Sequence, residues 1–145
     1  MRKYMLIMLF FTQMGVSTIT AQSAGERPLY VGGMAKFIGG LGGHVEFPIN
    51  STLTLRGAAG WLIFILDFNG GMGFALSPKI EVYGTFHVTI MSFFGRTAAY
   101  GPEIGADLRL TDVFHIEGGA VYLMNASNRE WLPNVGISLN IPLRP

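Results

Sequence analysis

Two pairs of residues could do chemistry by their types and spacing: His44-Val45-Glu46 and His115-Ile116-Glu117. On extended backbone, residues two apart point to the same side. Each pair therefore sets an imidazole beside a carboxylate, and two histidines with carboxylates have the donor types to hold a divalent cation. A buried, hydrogen-bonded His–Glu pair explains the same spacing, so both readings stand. His87 with Ser92 is the one local pair suited to acyl transfer, where a serine needs a base within hydrogen-bond reach. No third, orienting residue lies near them in sequence. The chain has no cysteine, which excludes disulfides, thiolate metal sites, a cysteine nucleophile and a lipid-anchored N-terminal cysteine.

The element that must position His87 is Lys79 to Ile90, where every second residue is apolar or glycine: Ile80, Val82, Gly84, Phe86, Val88, Ile90. Lys79, Glu81, Tyr83, Thr85, His87 and Thr89 alternate with them. Period two predicts a strand with one apolar and one polar face. Its length suits a tilted membrane-crossing strand of about 9–11 residues. Seven further segments alternate in the same way, at about 29–37, 44–49, 52–61, 69–76, 100–110, 114–123 and 135–143. Three strand–turn–strand units, from Gly43 to Trp61, Gly71 to His87 and Gly105 to Tyr122, read as an internal repeat.

Turn signals separate the segments. The glycines at 39, 40, 42 and 43 predict a flexible turn. Short turns fall near Asn50, Ser77 and Asp112, and longer connections at Leu62–Phe68, Met91–Ala99 and Met124–Pro133. Two of the longer ones carry apolar runs, Leu62 to Leu66 and Ile90 to Phe94, which read better as strand extensions, the first hairpin turning near Asp67–Gly71. At the start of the chain, Arg2 and Lys3 precede an apolar stretch to about Val16 and then small residues through Ala24, the pattern of a secretory signal peptide over residues 1–24. Residues 25–145 then form one exported domain.

Composition restricts the surroundings. Half of the 145 residues are hydrophobic, only 13% are charged and the net charge is +1, so no basic face for nucleic acid is expected. No apolar run reaches the ~18 residues of a spanning helix. Charge parity decides which face looks out. His44 and Glu46 share a face, as do Lys79, Glu81 and His87, then Glu103, Asp107 and Arg109, then His115 and Glu117. That face is otherwise rich in Gly, Ala, Thr and Ser, too poor in charge for a soluble exterior of roughly 25–35% charged residues. It suits the inside of a small barrel. The expected lumen network is Lys36, His44, Glu46, Arg56, Lys79, Glu81, His87, Glu103, Asp107, Arg109, His115 and Glu117: five acids, four bases and three histidines. Buried charge must be paired, so an interior salt-bridge network is preferred to a proton relay, a metal centre or a catalytic cluster. No catalytic residue, metal or cofactor is assigned. Aromatics near the ends of the apolar face predict membrane-interface girdles: Phe37, Trp61, Tyr100 and Tyr122 at one end, Phe47 and Phe114 at the other.

With its export signal, eight alternating segments and loop asymmetry, the chain resembles the small eight-stranded outer-membrane β-barrels of the OmpA-transmembrane-domain or OmpX type. The last segment ends Leu139-Asn140-Ile141-Pro142-Leu143. In that family the final strand resembles a recognition signal for the barrel-assembly machinery and closes on an aromatic residue, whereas here Leu143-Arg144-Pro145 follows. The resemblance implies an all-β antiparallel up-and-down barrel in the outer membrane of a Gram-negative bacterium, contacting outer-membrane lipid. It implies a structural or surface-interaction role through the longer loops and no open pore. The chain leaves no room for a peptidoglycan-binding domain after the barrel. Two other classes fit less well: an outer-membrane lipid-modifying enzyme and a soluble lipocalin-like ligand-binding barrel.

Overall fold

The computed structural model describes residues 28–91, 97–126 and 128–143. The segment expected to direct export, Ser92 and the final Arg144-Pro145 lie outside them. Eight strands run in order: β1 (Leu29–Lys36), β2 (Gly40–Pro48), β3 (Leu53–Leu62), β4 (Ile65–Ala75), β5 (Ile80–Met91), β6 (Thr97–Arg109), β7 (Phe114–Met124) and β8 (Arg129–Leu143). Each pairs antiparallel with the next, and β1 also pairs with β8 from Leu29↔Leu143 to Lys36↔Gly136, closing the barrel. Closure leaves no open sheet edge.

Alternation turns one face of every strand inward. Along β5, Glu81, Tyr83, Thr85, His87 and Thr89 are buried while Val82, Phe86, Val88 and Ile90 are exposed. Among the described residues the buried apolar side chains are Met34, Ile38, Tyr83, Ala99 and Val121, against fifteen buried polar or charged ones. The interior is thus polar and the exterior apolar, the inverse of a water-soluble fold.

Several expected boundaries move. The glycines from Gly40 to Gly43 are not a flexible turn. They open β2, paired with Lys36 through Gly33, and only Gly39 and Gly40 take positive φ, 101° and 66°. The apolar run Leu62 to Leu66, expected to extend a strand towards a turn near Asp67–Gly71, instead contains the turn itself, at Ile63-Phe64, with Leu62 paired to Ile65. β8 begins at Arg129 and continues through Pro133, whose missing N–H is tolerated next to Ala120. Strand thus replaces much of the predicted long loops. Among the described residues the connections there narrow to 37–39 and 63–64.

The opposite end has three four-residue turns, 49–52, 76–79 and 110–113. Each is held by a side-chain oxygen near its start. Asn50 Oδ1 accepts from the Thr52 and Leu53 amides, both at 2.8 Å, and Ser77 Oγ from Lys79 and Ile80. Thr111 Oγ1 accepts from Val113 and Phe114. These Asn, Ser and Thr residues replace the ladder hydrogen bonds that a reversal loses.

Candidate functional site in the lumen

Eleven of the twelve predicted lumen residues face inward: the acids and histidines are at most 8% exposed, and the Lys36, Arg56 and Arg109 side chains at most 11%. Lys79 does not. It is exposed in the turn before β5, because the chain leaves the ladder at Ser77 and the alternation does not extend that far. In its place the structure brings in Asp67, fully buried on β4. The lumen therefore holds six carboxylates, three permanent cations and three histidines among the described residues.

The inward groups sort into two clusters. Towards the end with turns at 37–39 and 63–64, His87 is clamped between two carboxylates. Its Nδ1 lies 2.9 and 3.1 Å from the two oxygens of Asp67, and its Nε2 contacts Glu103 Oε2 closely. Asp67 also accepts from Thr89 Oγ1 (2.7 Å) and Asn69 Nδ2 (3.3 Å). Glu103 accepts from Tyr83 Oη (3.0 Å), Thr85 Oγ1 (3.2 Å) and Asn134 Nδ2 (3.0 Å). The other end of the Asn134 amide accepts the Ile38 N–H at 2.9 Å, which ties the 37–39 turn over this cluster, with Ile38 itself buried. These groups come from adjacent strands, offset along them: Asp67 pairs with Thr89, one position along the same face from His87, and Thr85 pairs with Glu103.

The second cluster is built on two arginines. Arg56 Nη2 bonds Glu46 Oε1 at 3.0 Å and lies 3.2 Å from Glu117 Oε1, while its Nη1 stands 3.7 Å from Glu81. Its guanidinium sits 4.4 Å above the Tyr83 ring, a cation–π contact that spends no hydrogen-bond donor. Arg109 bonds Glu81 Oε2 at 3.1 Å and lies 3.7 Å from Glu46 Oε2, and Lys36 reaches Glu117 at 2.5 Å. His115 Nδ1 lies 3.1 Å from Asp107 Oδ2 and 3.0 Å from Asn140 Nδ2. Charge-assisted bonds of this kind can offset the desolvation of buried ions only when nearly every oxygen is served. A cavity beside Lys36, His44, Arg56 and Tyr83 is about 10 Å³, room for about one water.

The fold shared with known structures now has its geometry. Neither a protein-family profile nor a curated protein matches the sequence. Among solved structures, the N-terminal β-barrel domain of Pseudomonas aeruginosa OprF matches with a TM-score of 0.52 at 14% identity, over 81% of this chain and all of that one. This chain has the fold of the OprF barrel. A de novo designed transmembrane β-barrel also aligns, with a TM-score of 0.49 at 17% identity, over 83% of this chain and 98% of that chain.

As a catalytic base, His87 is poorly placed: both ring nitrogens already face carboxylates, and the ring has no exposed surface. Ser92 lies outside the described residues. Of the aromatics predicted for the interfaces, Phe37 falls in the turn after β1 and Tyr100 three residues inside β6; Phe37, Trp61 and Tyr100 are exposed, and Phe47, Phe114 and Tyr122 half-buried. Trp131 was missed. It is 59% exposed and packs on Tyr122 with ring centroids 5.1 Å apart. Asp67 and Trp131 fell in stretches expected to be loops, and Asn134 one residue before the expected eighth strand; of the three, Asp67 and Asn134 continue an alternation already read. Continuing the alternation back from Asn69 and from Gly136 would have found these two.

Proposed function

We propose that this protein is an outer-membrane β-barrel of a Gram-negative bacterium whose lumen is a packed ionic core, serving a structural or surface-interaction role without an open pore. The observation that carries this reading is the inversion. Residues such as Ile104, Val135 and Leu139 are more than half exposed while Glu46, Glu81, His87 and Asp107 have no exposed surface. Lipid is the surrounding that makes such an exterior favourable, and a closed barrel satisfies the backbone there without water. The reverse orientation, which a soluble ligand-binding barrel needs, runs against the same observation.

Aromatics near both strand ends suit the two headgroup levels: Trp61, Tyr100, Tyr122 and Trp131 at one, Phe47 and Phe114 at the other. Trp61 Nε1 donates to the Ile63 carbonyl at 2.7 Å, which satisfies its polar edge. The connections are short, so a surface partner would meet the turn tips around Ile63-Phe64 and Asn125–Asn128 rather than long loops. Outer-membrane lipid and, during insertion, the barrel-assembly machinery are the other expected partners.

Fractionation tests the location. The chain is expected in the outer-membrane fraction and released by detergent, and recovery as a soluble periplasmic protein would overturn the reading. In planar bilayers the purified protein is expected to give no steady conductance, whereas stable open channels would show that the lumen is not packed. Altered lipid A in a deletion strain would favour the enzyme instead.

A further inference from the structure

The geometry points to a binding site for one divalent transition cation of the zinc type inside the barrel, held by Glu46 of β2, Asp107 of β6 and His115 of β7. One donor atom from each of the three lies within 4.8 Å of the others, and all three residues are fully buried.

Charge is the first support. The described lumen holds Glu46, Asp67, Glu81, Glu103, Asp107 and Glu117 against Lys36, Arg56 and Arg109. His87 faces a carboxylate from each ring nitrogen, and an imidazole donates from both nitrogens only as the cation. Three cations and one imidazolium against six carboxylates leave two negative charges. One divalent ion neutralises them. Buried carboxylates without a cation must be neutralised, either by protons or by a bound cation.

Unused acceptors are the second support, and they locate the site. Glu46 Oε2 and Asp107 Oδ1 are buried and accept no hydrogen bond. By contrast Asp67 and Glu103, in the other cluster, are served by three and four neighbours.

The donor set of one imidazole and two carboxylates suits zinc, at about 2.0–2.2 Å from each. The side chains must therefore close in by about an ångström on loading. The guanidinium of Arg109, 3.7 Å from Glu46 Oε2, opposes a cation there, but its nearer bond is to Glu81 at 3.1 Å. Proton uptake by the lumen would balance the same charge without metal, so the two accounts separate in a binding experiment.

The full chain is refolded into detergent micelles with Zn²⁺ present throughout, then freed of excess metal by gel filtration. One Zn²⁺ per folded chain is expected, with a higher unfolding midpoint than protein refolded in chelator. His115→Gln and Asp107→Asn are each expected to lower retention at least tenfold, and Lys79→Gln in the exposed turn to leave it unchanged. Where a variant does not fold, the wild-type histidine ring NMR signals serve: Zn²⁺ is expected to shift those of His115 and leave those of His87 in place. No retained zinc, zinc bound equally by folded His115→Gln, or unmoved His115 signals would overturn the site.

Discussion

Removing His87 is the sharpest perturbation of the ionic core. His87→Gln takes a cation from between Asp67 and Glu103, which are 0% and 2% exposed. The two carboxylates keep only neutral donors and the more distant cations: Thr89 and Asn69 on Asp67, and Tyr83, Thr85 and Asn134 on Glu103. Breaking a buried charge pair by deleting one partner costs about 3–5 kcal/mol. Against a total stability of roughly 5–15 kcal/mol this is a large fraction. With a urea slope of about 2 kcal/mol/M, the unfolding midpoint should fall by roughly 2 M. The assay is equilibrium urea unfolding in lipid vesicles, followed by tryptophan fluorescence from Trp61 and Trp131. The triple variant Asp67→Asn, His87→Gln, Glu103→Gln removes the stranded charges and should regain most of the loss, since its amides can still bond Thr89, Asn69 and Tyr83. A single-variant cost below about 1 kcal/mol, or a triple variant no better than the single, would refute the claim that His87 is held as a charge bridge.

Three other substitutions test neighbouring parts of the account. Phe86→Arg, on the outward face of β5, should cost about 2–4 kcal/mol in a bilayer at mid-depth; unfolding in vesicles measures it, and a change within about 0.5 kcal/mol would fit a water-facing site instead. At Gly105 an added Cβ would meet the Tyr83 ring at 2.6 Å, beneath Arg56. Gly105→Ala should therefore destabilise by about 1–3 kcal/mol through overpacking, and retained wild-type stability would show that the ring moves freely. Ile63 holds φ at 51° in a two-residue turn, a conformation that costs a β-branched residue about 1–2 kcal/mol. Ile63→Asn should raise the unfolding midpoint, and a fall would show that the apolar tip contributes contacts exceeding its strain.

Which face each residue occupies was readable from alternation, because a strand's period of two is fixed by its backbone. Eleven lumen residues follow from that alone. The failures occurred where a residue type masked the period. The stretch ending at Pro133 was expected to be a loop, so Trp131 was lost, although a proline on an outward face costs the ladder little. The run Leu62 to Leu66 is apolar on both faces near the tip, which hid the inward position of Asp67. Lys79 was assigned to the lumen by extending the alternation one residue beyond a turn that Ser77 closes. Pairing was legible only within a hairpin, as for Glu46 opposite Arg56. The contact of Arg56 on β3 with Glu117 on β7 depends on the stagger of the closed barrel, which no local pattern encodes.

The central claim is that the apolar face meets lipid and the ionisable face is sealed within. Proton NMR of the protein in lipid nanodiscs measures this directly, through cross-relaxation of side chains with acyl-chain methylenes and with water. The account predicts lipid cross-peaks and no water cross-peaks for Val82, Ile104, Val135 and Leu139. Water contact at those four side chains, with the carboxylates of Glu81 and Asp107 open to bulk solvent, would contradict it.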